Sequence, residues 1–182
     1  LQHTGPVVII EHRSLYDTSG DVSEDPVPTP LGKAAVVREG SDVTIVATSF
    51  MAYESLHAAQ ELAKMGVDAE VIDLRTIRPL DEQTVLTSVR KTGRLIVADT
   101  SWELCGVSSE IAALVAEKGF SYLKAPVRRI ALADCPAPVS QPLENAFYPT
   151  ASTIAKVVMA MLDKEHAGLG HLDRADSFKG PY

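Results

Sequence analysis

The run Val71-Ile72-Asp73-Leu74-Arg75-Thr76-Ile77-Arg78-Pro79-Leu80-Asp81 most narrows the folds open to this chain. An apolar strand ends, an acid and an arginine follow, a proline blocks regular structure, and an aspartate opens a helix. Pro79 fixes its own φ and biases Arg78 toward an extended backbone. Asp81 is a good N-cap for a helix over residues 82–90. Asp73, Leu74 and Arg75 then lie just past the carboxyl end of a buried strand. In open α/β sheets, that rim is where ligands and partners bind.

The same strand-then-helix rhythm recurs on both sides. Residues 43–47 form a near-continuous apolar run, as a parallel strand buried on both faces requires. Leu56, Ala59, Leu62 and Ala63 follow at helical spacing, and Gly66 is the natural residue just past that helix. Residues 67–72 make the next strand, the motif and its helix follow, and Gly93 ends that helix. Residues 94–98 and 125–130 supply two further strands. The helix between them starts after Gly106 and turns Val107, Ile111, Leu114 and Val115 inward. Residues 136–142 read as a proline-rich loop. A last helix begins near Pro149 and Ser152, with Ile154, Val157, Val158, Met161 and Leu162 inward. A shorter strand over residues 34–39 precedes the series. This alternation predicts an α/β fold: a three-layer α/β/α sandwich around a mostly parallel five-stranded sheet with one edge strand antiparallel.

Four regions follow. Residues 1–12 hold a β-branched run, residues 6–11, that reads as a strand needing a sheet to join. It is expected to be the last strand of an upstream domain. Residues 13–32 have linker composition, with Pro26, Pro28 and Pro30 among acids. Residues 33–165 are the main domain. Residues 166–182 are expected to form a loosely held tail.

A net charge of −7 argues against nucleic acid or an anionic membrane as the main partner. Cys105 and Cys135 are too few for a disulfide framework. The apolar runs are strand-sized, short of a membrane span. No Gly-rich phosphate loop follows any strand, and no nucleophile elbow is present. Ser49 sits where a nucleophile would, but without a histidine and acid to complete a triad; its hydroxyl is expected to cap the following helix. His57 lies on an amphipathic helix as a surface or edge residue. His12, between Glu11 and Arg13, marks a polar cluster. His166, His171 and Asp173 are too loosely spaced to support a metal site. Cys105 reads as a small residue packed at a turn. Three strand ends share one edge: Thr48 with Ser49, Asp73 to Arg75, and Asp99 to Trp102. Trp102, the single tryptophan, either contacts a partner or covers the core. Arg75 either binds an anion or locks the rim by pairing with Asp73 or Asp99. The result is a binding rim without a complete catalytic set and without a metal site.

The motif at residues 71–81 resembles that of the transketolase C-terminal domain, in the version found in β subunits of the E1 component of 2-oxo acid dehydrogenases. The likeness continues through Gly32-Lys33-Ala34 and residues 36–44, 91–95 and 123–129, while residues 6–12 with Leu15 and Tyr16 resemble the end of the preceding pyrimidine-binding domain. The resemblance implies a parent enzyme that decarboxylates a 2-oxo acid on thiamine diphosphate with magnesium and then acylates a lipoyl group on E2. The cofactor-binding residues would lie upstream and in the E1 α subunit, so no cofactor is expected on this chain alone and its isolated activity is expected to be nil. Its partners would be the E1 α subunit, a second β subunit and the E2 acyltransferase, with homodimerisation through this domain. Its location would be the cytoplasm, or the mitochondrial matrix in a eukaryote. Three residues depart from the family pattern. Thr100 and Cys105 stand where relatives often carry an acid and a glycine. Lys124 stands where pyruvate-specific relatives use an aspartate to bind E2. In deoxyxylulose phosphate synthase-like relatives the arginine at the position of Arg75 faces a phosphate, which a 2-oxo acid lacks; Arg75 is expected to shape the rim. A stand-alone interaction or regulatory module of the same fold is the alternative, and a small-molecule-binding domain a third reading.

Overall fold

Residue burial along one strand sets the architecture. In the computed structural model, which describes residues 3–16, 18–21, 24, 25, 27–165 and 169–172, every residue of β2 (Val43–Ala47) is buried. A strand buried on both faces belongs at the middle of a sheet covered by helices on both sides. It sits there, in the order β1-β3-β2-β4-β5. The flanking strands are β1 (Ala35–Arg38), β3 (Ala69–Asp73), β4 (Leu95–Trp102) and β5 (Arg128–Leu132). All neighbours are parallel except β1, which runs antiparallel to β3 with Ala35 opposite Asp73.

Alternate β2 side chains build two cores. Val43, Ile45 and Ala47 face α1 (Ser49–Lys64) and the last helix, α5 (Ala151–Met161). Val46, with Ile72 and Val97, faces α2 (Glu82–Thr92) and α3 (Val107–Lys118). The expected three-layer sandwich is therefore the observed one. The α2 face also takes polar groups inside. The Thr44 hydroxyl lies 2.6 Å from Ser88 Oγ and 2.8 Å from Thr92 Oγ1. Glu70, buried in β3, accepts from the Ser88 hydroxyl, the Lys91 ammonium and the Gly40 N–H. Hydrogen bonds to Glu39 and then Glu70 hold the Lys91 pKa above its usual range.

The motif at residues 71–81 closes this framework. Asp81 is the N-cap of α2 and accepts from the Thr84 N–H at 3.2 Å and the Thr84 hydroxyl at 2.8 Å. Its carboxylate also accepts from the Ala34 N–H at 3.1 Å. Two residues earlier in the chain, the Gly32 N–H donates to Thr76 Oγ1 at 3.0 Å. Gly32 has φ +72°, and a Cβ there would lie 2.9 Å from Pro79 Cγ, so only glycine fits. The Arg78–Pro79 peptide is cis. The motif thus seats the lead-in to β1 as well as starting α2.

Several elements differ from expectation. Residues 6–11 join no sheet, and Val8, Ile9 and Ile10 are 85%, 64% and 87% exposed. β-branched propensity is realised through a ladder and a packed face, and this segment has neither here. A short 3₁₀ turn, Arg13–Leu15, follows it. β4 runs on to Trp102, four residues past the apolar run, because Trp102 pairs with Leu132 of β5. β5 starts at Arg128 rather than 125, beyond Pro126, which cannot donate to a ladder. A short helix, α4 (Gln141–Phe147), lies where a loop was expected. It carries Pro142 in its first turn, a position where proline is tolerated, and buries no residue, so no amphipathic pattern announced it. The tail residues other than 169–172 lie outside the described residues.

Asp81 yields a test. Burial pushes its carboxyl pKa up, but the Thr84 hydroxyl and the Ala34 and Thr84 N–H groups, with Lys33 nearby, outweigh this and leave it below the ordinary 3.8. A depressed folded pKa means that this contribution is fully present above the unfolded value and disappears as pH falls through the folded one. Asp81→Ala is expected to cost about 1–3 kcal/mol at pH 7 in urea denaturation. The gap between variant and parent should narrow below pH 4; a gap constant from pH 7 to 3 contradicts the assignment.

Candidate functional site

The strand order brings the carboxyl ends of β2, β3 and β4 to one edge. Thr48 Oγ1 donates to Asp99 Oδ1 at 3.0 Å, and the Ser101 hydroxyl donates to Asp99 Oδ2. Asp99 is only 5% exposed, so its charge is held inside the rim by hydroxyls of two strand ends. Leu74 continues the pairing past β3, its N–H donating to Ala47 O at 3.0 Å. Asp73 Oδ1 accepts from the Arg75 N–H at 3.2 Å, and Arg75 Nε lies 3.8 Å from Asp73 Oδ2. Of the two acids weighed as its partner, Arg75 takes Asp73. Its φ of +56° and the +49° of Ser49 place two non-glycine residues of this edge in the left-handed region. Such conformations persist where surrounding contacts over-determine them, and they cluster at functional sites.

Ser49 does not cap α1. It lies within the helix and is exposed, and Thr48 is the N-cap residue. Thr48 makes no side-chain cap bond either, because its hydroxyl is committed to Asp99. Trp102 is 56% exposed at the end of β4 and does not cover the core. Leu104 beside it is 66% exposed. Cys105 is exposed, with φ +57°, rather than packed at its turn. Lys124 is remote from this edge. Its N–H donates to Gly93 O at 2.7 Å and its ammonium reaches Thr92 O at 3.3 Å, so it caps the carboxyl end of α2.

Two histidines meet aromatic rings. His12 stacks on Phe50, the second residue of α1, at 4.8 Å between centroids and 16° between planes. Its Nδ1 accepts from the Ser14 N–H at 3.3 Å, and burial lowers its pKa. His57 lies 4.2 Å from the Tyr53 ring. The side chains of His166, His171 and Asp173 lie outside the described residues. Among the described residues no group of three or more His, Cys, Asp or Glu could hold a metal ion.

Glu54 escaped the sequence reading. It is 4% exposed in α1, and its Oε2 accepts from the Ala151 N–H at 2.6 Å at the start of α5. A carboxylate there meets both a free donor and the positive end of the helix dipole. The available signal was an acid at helical spacing from Phe50, Met51 and Ala58, on the face that had to be buried. A hollow of about 450 Å³ lies between β5 and α4, lined in part by Glu103, Arg129, Asn145, Phe147 and Thr150. Its guanidinium is already engaged: Arg129 bonds Glu103 Oε1 at 3.0 Å and Ser109 Oγ at 2.8 Å. Chemically, this edge is a polar, self-satisfied frame with apolar residues presented outward.

Residues 32–154 match the model of the transketolase, C-terminal domain family. The chain belongs to that family. Among curated proteins it is 41% identical, over 89% of its length, to the acetoin:2,6-dichlorophenolindophenol oxidoreductase subunit beta of Bacillus subtilis. It is 47% identical, over 83% of its length, to the mitochondrial pyruvate dehydrogenase E1 component subunit beta-1 of Arabidopsis thaliana. It covers 47% and 43% of those two proteins, so it spans a little under half their length. A solved structure described as a split gene transketolase, inactive beta4 tetramer, superimposes with a TM-score of 0.67 at 28% identity, over 77% of this chain and 45% of that one. The transketolase C-terminal fold thus accounts for the antiparallel edge strand and the three layers together.

The Thr48–Asp99 bond makes the rim testable. Thr48→Val is expected to cost about 1–2 kcal/mol in chemical denaturation, because it leaves one oxygen of a buried carboxylate without its donor. Ser49→Ala should stay within about 0.5 kcal/mol, since its hydroxyl caps nothing. Equal costs for the two would return the capping role to Ser49.

Proposed function

We propose that this chain serves as the C-terminal domain of an E1 β subunit of a 2-oxo acid dehydrogenase complex, with roles in subunit assembly, the active-site rim and E2 docking. The observation that carries this reading is the identity above 40% to β subunits of such enzymes across more than four-fifths of the chain. In this reading the exposed segment 6–11 belongs with a pyrimidine-binding domain, and residues 13–32 join it to the main domain. The partners are an E1 α subunit, a second β subunit and an E2 acyltransferase, and the setting is the cytoplasm or a mitochondrial matrix. No helix among the described residues is long and apolar enough to cross a membrane, which suits a complex of that kind.

Thiamine diphosphate with magnesium would serve the parent enzyme, supplying a carbanion for decarboxylation. In this reading the residues that hold that group lie elsewhere in the enzyme, and among the residues described here no group of three or more His, Cys, Asp or Glu could hold its magnesium ion. The rim residues Thr48, Ser49, Asp73, Arg75, Asp99 and Trp102 instead shape and border an active site completed by other parts of the enzyme. Asp99 and Asp73 hold the edge in form, while Trp102 offers contact surface. The solved relative is described as an inactive beta4 tetramer, which supports self-association and an inactive isolated chain.

Titration calorimetry with thiamine diphosphate and magnesium tests the placement of the cofactor residues. The isolated chain is expected to bind more weakly than about 100 μM, and a Kd below about 10 μM overturns the reading. Sedimentation at tens of micromolar tests assembly, with a dimer or larger species expected and a strict monomer counting against it.

A further inference from the structure

β5 is an edge strand whose outer side is unpaired among the described residues. It ends the strand order and pairs with β4 alone. Leu132 O accepts from the Glu103 N–H, so Leu132 turns its main-chain groups toward β4. Directions alternate along a strand, so Ile130 also faces β4, while Arg129 and Ala131 each turn an N–H and a C=O outward. No other backbone group among the described residues pairs with them on that side. The hollow of about 450 Å³ runs along this edge. Arg129, Ile130 and Ala131 all line it, and three consecutive side chains cannot share a face, so it borders the strand from the side. Thr150, Thr153 and Val157, spaced as one face of α5, form one wall together with Phe147. Toward α3, the Arg129 guanidinium is drawn to Glu103 Oε1 and Ser109 Oγ.

A bare edge invites pairing with another chain, and proteins guard such edges with short strands, bulges or charge. The opposite edge is guarded in this way. β1 has four residues, and its register shifts between Val36 and Arg38. β5 has five residues, and the irregularity in its ladder lies on β4, between Ala98 and Trp102. Its charges do not block the edge either. Arg128 is not among the residues that line the hollow, and Arg129 is held aside by Glu103 and Ser109. The walls leave width for a single extended chain. A second copy of β5 would bring its own α4 and α5 against them. The exposed run Val7-Val8-Ile9-Ile10 of a second copy is apolar throughout, whereas the two sides of this groove differ in polarity.

We propose that the outer edge of β5 is a docking site for an extended segment of a partner protein, which enters the hollow and adds one strand to the five-stranded sheet. The main chain selects the occupant. Arg129 and Ala131 offer donors and acceptors in line, and an extended backbone matches them in register. Side chains of the added strand then alternate between two surroundings. Those on the α5 side meet Phe147 and Val157 and are apolar. Those on the α3 side meet the Glu103–Arg129 pair and are polar. The occupant is therefore a segment that alternates apolar and polar residues. The proposal rests on this edge alone and stands or falls independently of the E1 reading.

The test uses the full chain and a fluorescein-labelled peptide of about eight residues, the length of a strand, in which valine and threonine alternate. Anisotropy should show saturable binding, and amide hydrogen exchange at Ala131 should slow when the peptide is bound. A peptide of the same composition with its valines and threonines in two blocks should bind about tenfold more weakly. N-methylation of alternate peptide amides reads the backbone directly: one set should abolish binding and the other should spare it. Ala131→Pro removes an outward N–H and keeps the β4 ladder, and should weaken binding about tenfold, as losing one or two hydrogen bonds does. Asn145→Trp fills the hollow from an exposed position and should weaken binding without touching the strand. Thermal melts of both variants separate lost binding from lost fold. No saturable binding, equal binding of the block peptide, or the same response to both methylation sets overturns the proposal. Self-association that Ala131→Pro abolishes also overturns it, because the occupant is then a second copy.

Discussion

The Asp81 carboxylate is the constraint on which the rest of the structure leans. One oxygen starts α2 and the other holds the lead-in to β1, joining residues 47 positions apart. β1 is an edge strand of four residues, too short to find its register by pairing alone. With Ala34 fixed by Asp81 and Gly32 by Thr76, the strand can only run back along β3 with Ala35 opposite Asp73. The turn that delivers Asp73 and Arg75 to the rim is therefore braced from the side by the strand it recruits.

The two ends of the sheet solve the problem of buried polarity differently. At the strand starts, Glu70 is buried against a half-exposed lysine, and Ser88, Thr44 and Thr92 take up the remaining bonds. Removing one member of such a network leaves a desolvated charge, so its value lies in fixing one arrangement of α2 over β2 and β3 more than in net stability. At the strand ends Asp99 is held by two hydroxyls, with no salt bridge to it among the described residues.

What was legible in the chain follows from what leaves a periodic trace. β2, β3 and the five long elements around them wrote themselves in apolar runs, in Gly66 and Gly93 at positive φ, and in the Asp81 cap. The rim's membership was legible because three strand ends share an edge by topology. Its internal bonding was not, since Thr48 and Asp99 are 51 residues apart and only the fold brings them within 3.0 Å. α4 was illegible because a helix with no buried face has no pattern to show. The strand expected at residues 6–11 forms no ladder here for the reverse reason: propensity is written in the residues, but a ladder partner is not.

Glu54 carries one more consequence. The start of α5 is completed by a side chain 97 residues earlier in the chain, not by its own flanking sequence alone. Thr150 and Thr153 form a local capping box, so the first turn is prepared in advance. The Ala151 N–H still finds its acceptor only once α1 is seated. α1 and α5 are thus a lock whose two halves are made at separate stages of synthesis. A nick in any loop between them would leave two pieces that recognise each other, each carrying what the other leaves unsatisfied.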